Sequence, residues 1–94
     1  MQARNEGDMK AGRYLGFMYE RGLGHPINKE VAYTNYLIAA ERGDITSQYH
    51  VGRFYENGLF VNKNRDKAIF WYKKSASRGD KVSQPAKEAL KRLC

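Results

Sequence analysis

The sequence has one cysteine, two prolines and no long apolar run. A single thiol, Cys94, can form neither an intrachain disulfide nor a cysteine metal site within one chain. An incidental terminal thiol is the simpler interpretation of Cys94, and an intermolecular crosslink is the other. No stretch approaches the roughly 20 apolar residues that a membrane-spanning helix needs. The residues after Met1 contain no apolar core typical of a secretory signal. We therefore expect a cytoplasmic protein, or an exported one if a signal was removed before this sequence begins.

Acidic side chains are scarce in the last third of the chain. Residues 1–62 hold seven basic and seven acidic side chains, whereas residues 63–94 hold ten basic and three acidic ones. The whole net charge of +7 therefore lies in residues 63–94. Such a positive region favours an acidic partner, nucleic acid included.

Residues suited to catalysis or metal binding are also sparse. The two histidines, His25 and His50, have no second histidine or carboxylate at ligand spacing, so no metal site is expected. Neither belongs to a recognised catalytic motif with serine or cysteine. The chain also lacks an S-x-x-K motif and a phosphate-binding glycine loop. We therefore expect no catalytic residue, no cofactor and no enzymatic activity.

The chain does contain an internal repeat of 36 residues. Residues 11–46 and 47–82 are identical at 12 of 36 positions, whereas about two identities are expected by chance. Both copies carry the same triplet near their ends, Arg42-Gly43-Asp44 and Arg78-Gly79-Asp80. A period of this length is typical of helical solenoids.

Each copy predicts two helices joined by a glycine-containing loop. The first helix carries an apolar stripe at helical spacing that we expect to be buried. The stripe consists of Ala11, Tyr14, Leu15, Met18 and Tyr19 in the first copy, and of Ser47, His50, Val51, Phe54 and Tyr55 in the second. Asn28 and Asn64 are the predicted N-caps of the second helices. Gly43 and Gly79 are their predicted left-handed C-caps.

A glycine also lies in the middle of each first helix, at Gly16 and Gly52. Glycine there costs up to about 1 kcal/mol relative to alanine. Its repetition therefore predicts that another helix approaches closely. The second helices are expected to bury a regular set of residues, namely Ala32, Tyr36 and Ala40, then Ala68, Tyr72 and Ala76.

The two ends of the array differ. Residues 3–8 align with the tail of a second helix, which predicts that residues 1–8 are the remnant of a preceding repeat. Residues 85–93 fit the first-helix pattern if the preceding loop is three residues longer, and Lys91 then stands at the glycine position. Because a lysine there would block another helix, we interpret residues 85–93 as a capping helix with a polar outer face. The predicted architecture is one all-α domain, 1–94, of about five helices, with repeats at 9–44 and 45–80.

These residues resemble the Sel1-like repeat family, a relative of the tetratricopeptide repeats. The first copy of the motif is Leu15-Gly16-x-x-Tyr19-Glu20-x-Gly22-x-Gly24, then Ala32-x-x-x-Tyr36-x-x-Ala39-Ala40-Glu41-x-Gly43. The second copy is Val51-Gly52-x-x-Tyr55-Glu56-x-Gly58, then Ala68-x-x-Trp71-Tyr72-Lys73-Lys74-Ser75-Ala76. The resemblance covers residues 3 to about 93. It implies an α-α superhelix that acts as a protein-binding adaptor, as in bacterial signalling, envelope and host-interaction proteins.

The resemblance also implies where a partner binds. In such stacks the first helix of each pair lines a concave face, and residues off its buried stripe face the groove. These residues are Arg13, Phe17, Glu20, Tyr49, Arg53 and Glu56, with Glu88 and Arg92 extending the line. We expect a peptide or helix of another protein to bind there. An ordinary solvated helix face is the alternative, and self-association of so short an array stays open.

A second candidate surface is basic. Lys67, Lys74, Arg78 and Lys81 recur along one outer side of the last helix pair. A solvated helix face is the simpler interpretation, and a patch for an acidic protein, nucleic acid or an anionic membrane surface is the other. Phe70 or Trp71 could stack on single-stranded bases. The repeat register instead places at least one of them between helices, which favours a protein over nucleic acid as the partner.

Overall fold

The residues that the structure describes form five α-helices connected by short loops. The computed structural model describes the backbone of residues 4–77 and 81–93, and the side chains from Lys10 onward within those ranges. The helices are α1 (Arg4–Arg21), α2 (Lys29–Glu41), α3 (Ile45–Asn57), α4 (Arg65–Ala76) and α5 (Gln84–Leu93), and a short 3₁₀ turn, Lys81–Ser83, precedes α5. Each helix packs mainly on its neighbours in sequence. The described residues therefore form the predicted all-α solenoid.

The starts of the helices follow from their capping residues. The side chain of Asn28 accepts a hydrogen bond from the backbone N–H of Val31, and Asn64 does the same for Lys67. Asp44 caps α3 by accepting from the backbone N–H of Ser47. These bonds satisfy backbone donors that the first helical turn leaves without a partner. Both predicted asparagine caps are confirmed.

The end of α2 also follows the prediction. Arg42 is the last half-helical residue, and Gly43 comes next with a φ of +105°. This left-handed conformation stops the helix and is favourable for glycine. The equivalent prediction for Gly79 lies outside the described residues.

The two mid-helix glycines allow close packing inside each repeat. A Cβ atom on Gly16 would lie 2.7 Å from the ring of Tyr36, and one on Gly52 would lie 2.8 Å from the ring of Tyr72. Both distances are shorter than van der Waals contact, so neither position has room for a side chain. The tyrosine of the second helix therefore lies directly against the glycine of the first, as the repeated glycines predict.

The core lies between the helices in two clusters. The first cluster joins the two repeats and consists of Ala32, Tyr36, Ala40, Val51 and Phe54. The second joins α4 to α5 and consists of Ala68, Tyr72, Ala86 and Ala89. Small residues beside large rings let the helices pack close together. Both clusters contain the same pattern of alanines around a tyrosine.

The buried stripe is predicted correctly for α3 but not for all of α1. Val51 and Phe54 are fully buried. Tyr14 is 64% exposed and Leu15 is 38% exposed, and Ala11 is exposed as well. The expectation of burial for these three residues is wrong, because the α1 side equivalent to the α2-facing side of α3 lies open in the described part of the chain.

The two ends match their predictions unequally. Pro85 lies in the first turn of α5, where its missing N–H costs no helical hydrogen bond, and Lys91 is exposed. At the other end, α1 continues from Arg4 to Arg21 through Gly7 and Asp8, although the alignment places a helix end there. The assignment of residues 1–8 to a preceding repeat, and the repeat boundaries themselves, stay predictions.

Candidate functional site

The charged residues predicted for the groove form ion pairs between consecutive first helices. Glu20 on α1 accepts two hydrogen bonds of 2.7 Å from Nη2 of Arg53 on α3. The hydroxyl of Tyr36 on α2 donates to the same carboxylate at 3.0 Å. We call Tyr36, Glu20 and Arg53 the first triad. It links three helices and so fixes the first repeat against the second.

The same arrangement recurs one repeat later, and we call Tyr72, Glu56 and Arg92 the second triad. The Tyr72 hydroxyl donates to Glu56 at 2.6 Å, and Nη2 of Arg92 on α5 donates to the same carboxylate at 2.8 and 3.0 Å. Glu20 and Arg53 are 33 residues apart, whereas Glu56 and Arg92 are 36 apart. The difference equals the three extra loop residues predicted before α5.

The triads hold both carboxylates in the ionised form. Burial opposes ionisation of Glu20, but the hydrogen bonds and charge of Arg53 outweigh it and leave the pKa of Glu20 below its ordinary value. Burial likewise opposes ionisation of Glu56, and Tyr72 and Arg92 together lower its pKa. Burial and the neighbouring carboxylates raise the pKa of Tyr36 and Tyr72, so both phenols stay protonated and act as donors.

His50 lies beside the first triad and is mostly buried. Its ring stacks on Tyr36 with centroids 4.5 Å apart. Its Nδ1 lies 3.1 Å from Nη2 of Arg53, and because arginine has no acceptor, this nitrogen must accept. Burial, followed by the positive charge of Arg53, lowers the pKa of His50 to about 4. His50 is therefore neutral at neutral pH.

A third ion pair uses the remaining predicted arginine. Nη1 of Arg13 donates to Oδ1 of Asp44 at 2.5 Å, while the other oxygen of this buried carboxylate caps α3. Tyr49, in the equivalent position to Arg13, lies half-buried against Tyr72 with ring centroids 5.7 Å apart. Both residues therefore stabilise contacts within the stack.

Phe17 is the predicted groove residue that keeps an exposed apolar side chain. It is 37% exposed, and the guanidinium carbon of Arg21 lies 4.7 Å from its ring centroid. The charged residues predicted for the same surface, Arg13, Glu20 and Arg53, all take part in ion pairs. At the far end of the line, Glu88 is exposed and accepts from Gln84 at 3.1 Å. A partner-binding role for any of these residues stays a prediction.

Of the predicted basic cluster, Lys67 and Lys74 lie on α4, and Lys81 lies in the 3₁₀ turn before α5. Lys67, Lys74 and Lys81 are exposed, and the ammonium groups of Lys67 and Lys74 lie over the rings of Tyr55 and Phe70. Arg78 lies outside the described residues. Trp71 packs against the first core cluster, which takes one of the two aromatic rings away from base stacking. The nucleic-acid alternative is therefore not favoured.

An open pocket of about 450 Å³ lies beside the second triad, and no motif in the sequence indicates it. It is lined by Glu56, Asn57, Lys63, Arg65 and Leu93. The guanidinium of Arg65 donates to the backbone carbonyl of Leu93. In the sequence, Lys63 and Arg65 belong only to the basic region. The pocket is not visible there, because it depends on the fold, which brings the end of α5 close to the start of α4.

Within residues 4–77 and 81–93, no group of three or more histidine, cysteine, aspartate or glutamate side chains could hold a metal ion. None of the described helices is both long enough and apolar enough to span a bilayer.

Comparisons with known proteins agree with the repeat geometry. The family model described as Sel1 repeat matches residues 11–44 and 45–80. A crystal structure of a Sel1 repeat protein from Oxalobacter formigenes superimposes with a TM-score of 0.75 and 36% sequence identity, covering 80% of this chain. The chain spans 31% of the length of that protein, and a comparison with curated protein sequences finds no match. The chain therefore belongs to the Sel1 repeat family, whose helical arrays serve in general as scaffolds for protein–protein interaction.

Proposed function

We propose that the chain is an adaptor that binds an apolar segment of another protein, a peptide or a helix, along the surface formed by α1, α3 and α5. The observation that carries this proposal is the exposed ring of Phe17 beneath Arg21. Aromatic side chains and arginine are enriched among the interface residues that contribute most to binding. Family membership supports binding rather than catalysis as the role, because Sel1 repeat proteins are generally scaffolds without enzymatic activity.

The charges on this surface indicate the kind of segment that it accepts. Arg13, Arg53 and Arg92 are each paired with a carboxylate of the chain itself. An acidic partner would have to compete with these internal pairs, which leaves little net attraction for it. A segment with an aromatic or aliphatic anchor near Phe17 needs no such exchange. The proposed partner segment is therefore mainly apolar.

A photo-crosslinking experiment tests the proposal. Benzoylphenylalanine is introduced at Phe17, and in a control variant at Phe70, which is 54% exposed on α4. Proteins crosslinked in native lysate are identified by mass spectrometry. The variant at Phe17 is expected to capture a partner that the variant at Phe70 does not.

A second measurement uses the captured partner. Phe17→Ala is expected to weaken its binding about tenfold or more, whereas Phe70→Ala leaves binding unchanged. Equal crosslinking from both positions, or full binding by Phe17→Ala, contradicts the assignment to this surface. The cytoplasmic location expected from the sequence stays a prediction.

A further inference from the structure

The loop between α3 and α4 holds a phenylalanine in a backbone conformation that suits glycine. Phe60 has a φ of +65°, and the equivalent residue of the first repeat is Gly24, with a φ of +78°. The backbone N–H of Val61 donates to the carbonyl of Leu59 at 2.6 Å, which closes a tight turn around Phe60. Such a turn is strained for a residue with a side chain. The second repeat therefore keeps a phenylalanine where glycine would be more favourable for the backbone.

This turn places the ring of Phe60 at the surface. Leu59 and Val61, on either side of it, pack against the first core cluster, whereas Phe60 itself is 53% exposed. Its ring centroid lies 5.7 Å from that of Tyr33 on α2. Because about half of the residue remains in water, packing against Tyr33 buries little area to offset the strained turn. Strain kept at an exposed aromatic residue indicates a role in contacting another molecule.

Two tyrosines and a lysine continue the surface from Phe60. The hydroxyls of Tyr33 and Tyr55 are hydrogen-bonded at 2.9 Å, and their rings meet edge-on with centroids 6.1 Å apart. The ammonium nitrogen of Lys67 lies 5.4 Å from the ring centroid of Tyr55. We call Phe60, Tyr33, Tyr55 and Lys67 the aromatic site. Its members come from α2, α3, α4 and the loop before α4, so only the folded stack brings them together.

The polar groups of the aromatic site suit a carboxylate. In the hydrogen bond between Tyr33 and Tyr55 one hydroxyl donates, so the other keeps an O–H that can donate to a ligand. Within the described residues Lys67 forms no ion pair. Lys67 also lies in the part of the chain, residues 63–94, that holds the whole net charge of +7. A hydroxyl donor and an unpaired ammonium group beside exposed apolar surface are complementary to an acidic ligand with an apolar side chain.

We propose that the aromatic site binds an acidic segment of another protein that carries one apolar side chain. The apolar side chain packs on the rings of Phe60 and Tyr33, and a neighbouring carboxylate pairs with Lys67. Nucleic acid would match the charge, but its bases would have to stack on tyrosine rings that are half-buried. The aromatic site shares no residue with the surface around Phe17, so this proposal does not depend on the groove assignment.

The probe is a short fluorescein-labelled peptide with one phenylalanine between two pairs of glutamates. Fluorescence anisotropy with the 94-residue protein at low salt is expected to show saturable binding, with a Kd on the order of 100 µM. Binding should weaken as salt is added, because ions screen the contact with the lysine. A peptide with alanine in place of phenylalanine, and one with lysines in place of the glutamates, should each bind at least about tenfold more weakly.

Substitution of Phe60 separates binding from folding. Asparagine adopts the left-handed conformation more readily than phenylalanine and has no ring, so Phe60→Asn should melt at or above the wild-type temperature. The same variant is expected to weaken peptide binding about tenfold or more. Phe60→Trp keeps an aromatic ring and should keep binding. Lys67→Gln should weaken binding and reduce its dependence on salt.

The first repeat supplies the matched controls. Leu23→Asn removes an apolar side chain that is 48% exposed in the equivalent loop, and Lys10→Gln removes an exposed lysine of α1. Both variants should bind the peptide as the wild type does. Gly24→Phe measures the strain itself, since a Cβ atom at Gly24 would have no other atom within 4 Å. Its melting temperature should fall by a few degrees, and no clash would account for the loss.

Four outcomes overturn the proposal. The first is a lack of saturable peptide binding by the wild-type protein, and the second is undiminished binding by Phe60→Asn. The third is a melting temperature of Phe60→Asn well below that of the wild type, or one of Gly24→Phe that is unchanged, because either result removes the argument from strain. The fourth is tighter binding of a single-stranded oligonucleotide than of the peptide, lost in Phe60→Asn, which would make nucleic acid the occupant.

Discussion

At the scale of single residues, the molecule depends on two positions that must have no side chain. Gly16 and Gly52 are costly in a helix, yet each lets a buried tyrosine lie where a Cβ atom would otherwise be. The tyrosine is itself constrained, since its hydroxyl donates to the glutamate of the same repeat. Because the hydroxyl is held by this hydrogen bond and the ring is buried, the tyrosine cannot move aside to make room for a larger residue.

Gly52→Ala is therefore expected to destabilise the protein, although alanine is the better helix former. The new methyl group would lie 2.8 Å from the Tyr72 ring, and overpacking of this kind costs about 1–3 kcal/mol. Urea denaturation followed by circular dichroism gives the change in the free energy of unfolding. The same substitution should cost less in a Tyr72→Leu background, where the clashing ring atoms are absent. An equal cost in both backgrounds would show that the ring is not the obstacle.

The residue scale is also where prediction from sequence works best. Asn28, Asn64 and Gly43 act through their own backbone neighbours, so a short stretch of sequence is enough to assign them. Gly16 and Gly52 needed the repeat, because only its recurrence gave a reason for an unfavourable residue. The rings that these glycines contact, in contrast, belong to tyrosines 20 residues further along the chain. Only the structure identifies those contacts.

At the scale of helices, the two triads do the same work in different surroundings. The Arg53 and Glu20 side chains are 24% and 13% exposed, whereas those of Arg92 and Glu56 are 59% and 18% exposed. Water screens the second pair far more than the first. The contact between the repeats thus relies on its ion pair more than the contact with α5 does.

Matched substitutions measure this difference. Arg53→Ala leaves Glu20 partly buried without its charge partner and is expected to cost about 1–3 kcal/mol of unfolding free energy. Arg92→Ala is expected to cost clearly less than Arg53→Ala, because water screens the exposed pair. Both values come from urea denaturation, repeated at high salt, where the effect of Arg92→Ala should shrink further. Equal costs would mean that burial does not set the strength of these pairs.

The triads also show what the sequence could not reveal about the candidate site. The helix positions predict that one surface carries Glu20, Arg53, Glu56 and Arg92. Because these side chains share a surface, they can form pairs. Their pairing depends on the stacking distance between helices, which no spacing along the chain specifies. The exposure of Tyr14 and Leu15 was missed for a related reason, since burial of an apolar stripe requires a neighbouring helix as well as the stripe.

At the scale of the whole molecule, stability should depend on pH through groups at the contacts between helices. His50 titrates at about 4 in the folded chain and at about 6.5 when unfolded. As the pH falls below 6.5 the unfolded chain takes up a proton that the folded chain refuses, so stability decreases towards pH 4. The pKa values of Glu20 and Glu56 are lowered by folding, so their contribution is lost as the pH falls below their ordinary range.

The free energy of unfolding is therefore expected to be flat between about pH 7 and 9 and to fall between pH 6.5 and 4, by at most about 1.4 kcal/mol per pH unit for one proton. Well above pH 9 it falls again, because folding raises the pKa of Tyr36 and Tyr72. Urea denaturation at a series of pH values measures this slope. His50→Gln keeps an acceptor for Arg53 but does not titrate, so it should remove the slope between pH 6.5 and 4.5. If the slope persists in that variant, another group is responsible.

The exposed Lys91 has a practical consequence for protein engineering. In both repeats a glycine in the first helix is followed by a tyrosine 20 residues later. The ring of this tyrosine packs on the glycine within the repeat and on the next helix of the stack. Lys91→Gly, with a further helix that places a tyrosine 20 residues later, would allow that helix to pack against α5 as α4 packs against α3. Since each repeat contacts only its neighbours, every repeat added after α5 would lengthen the protein by the same distance.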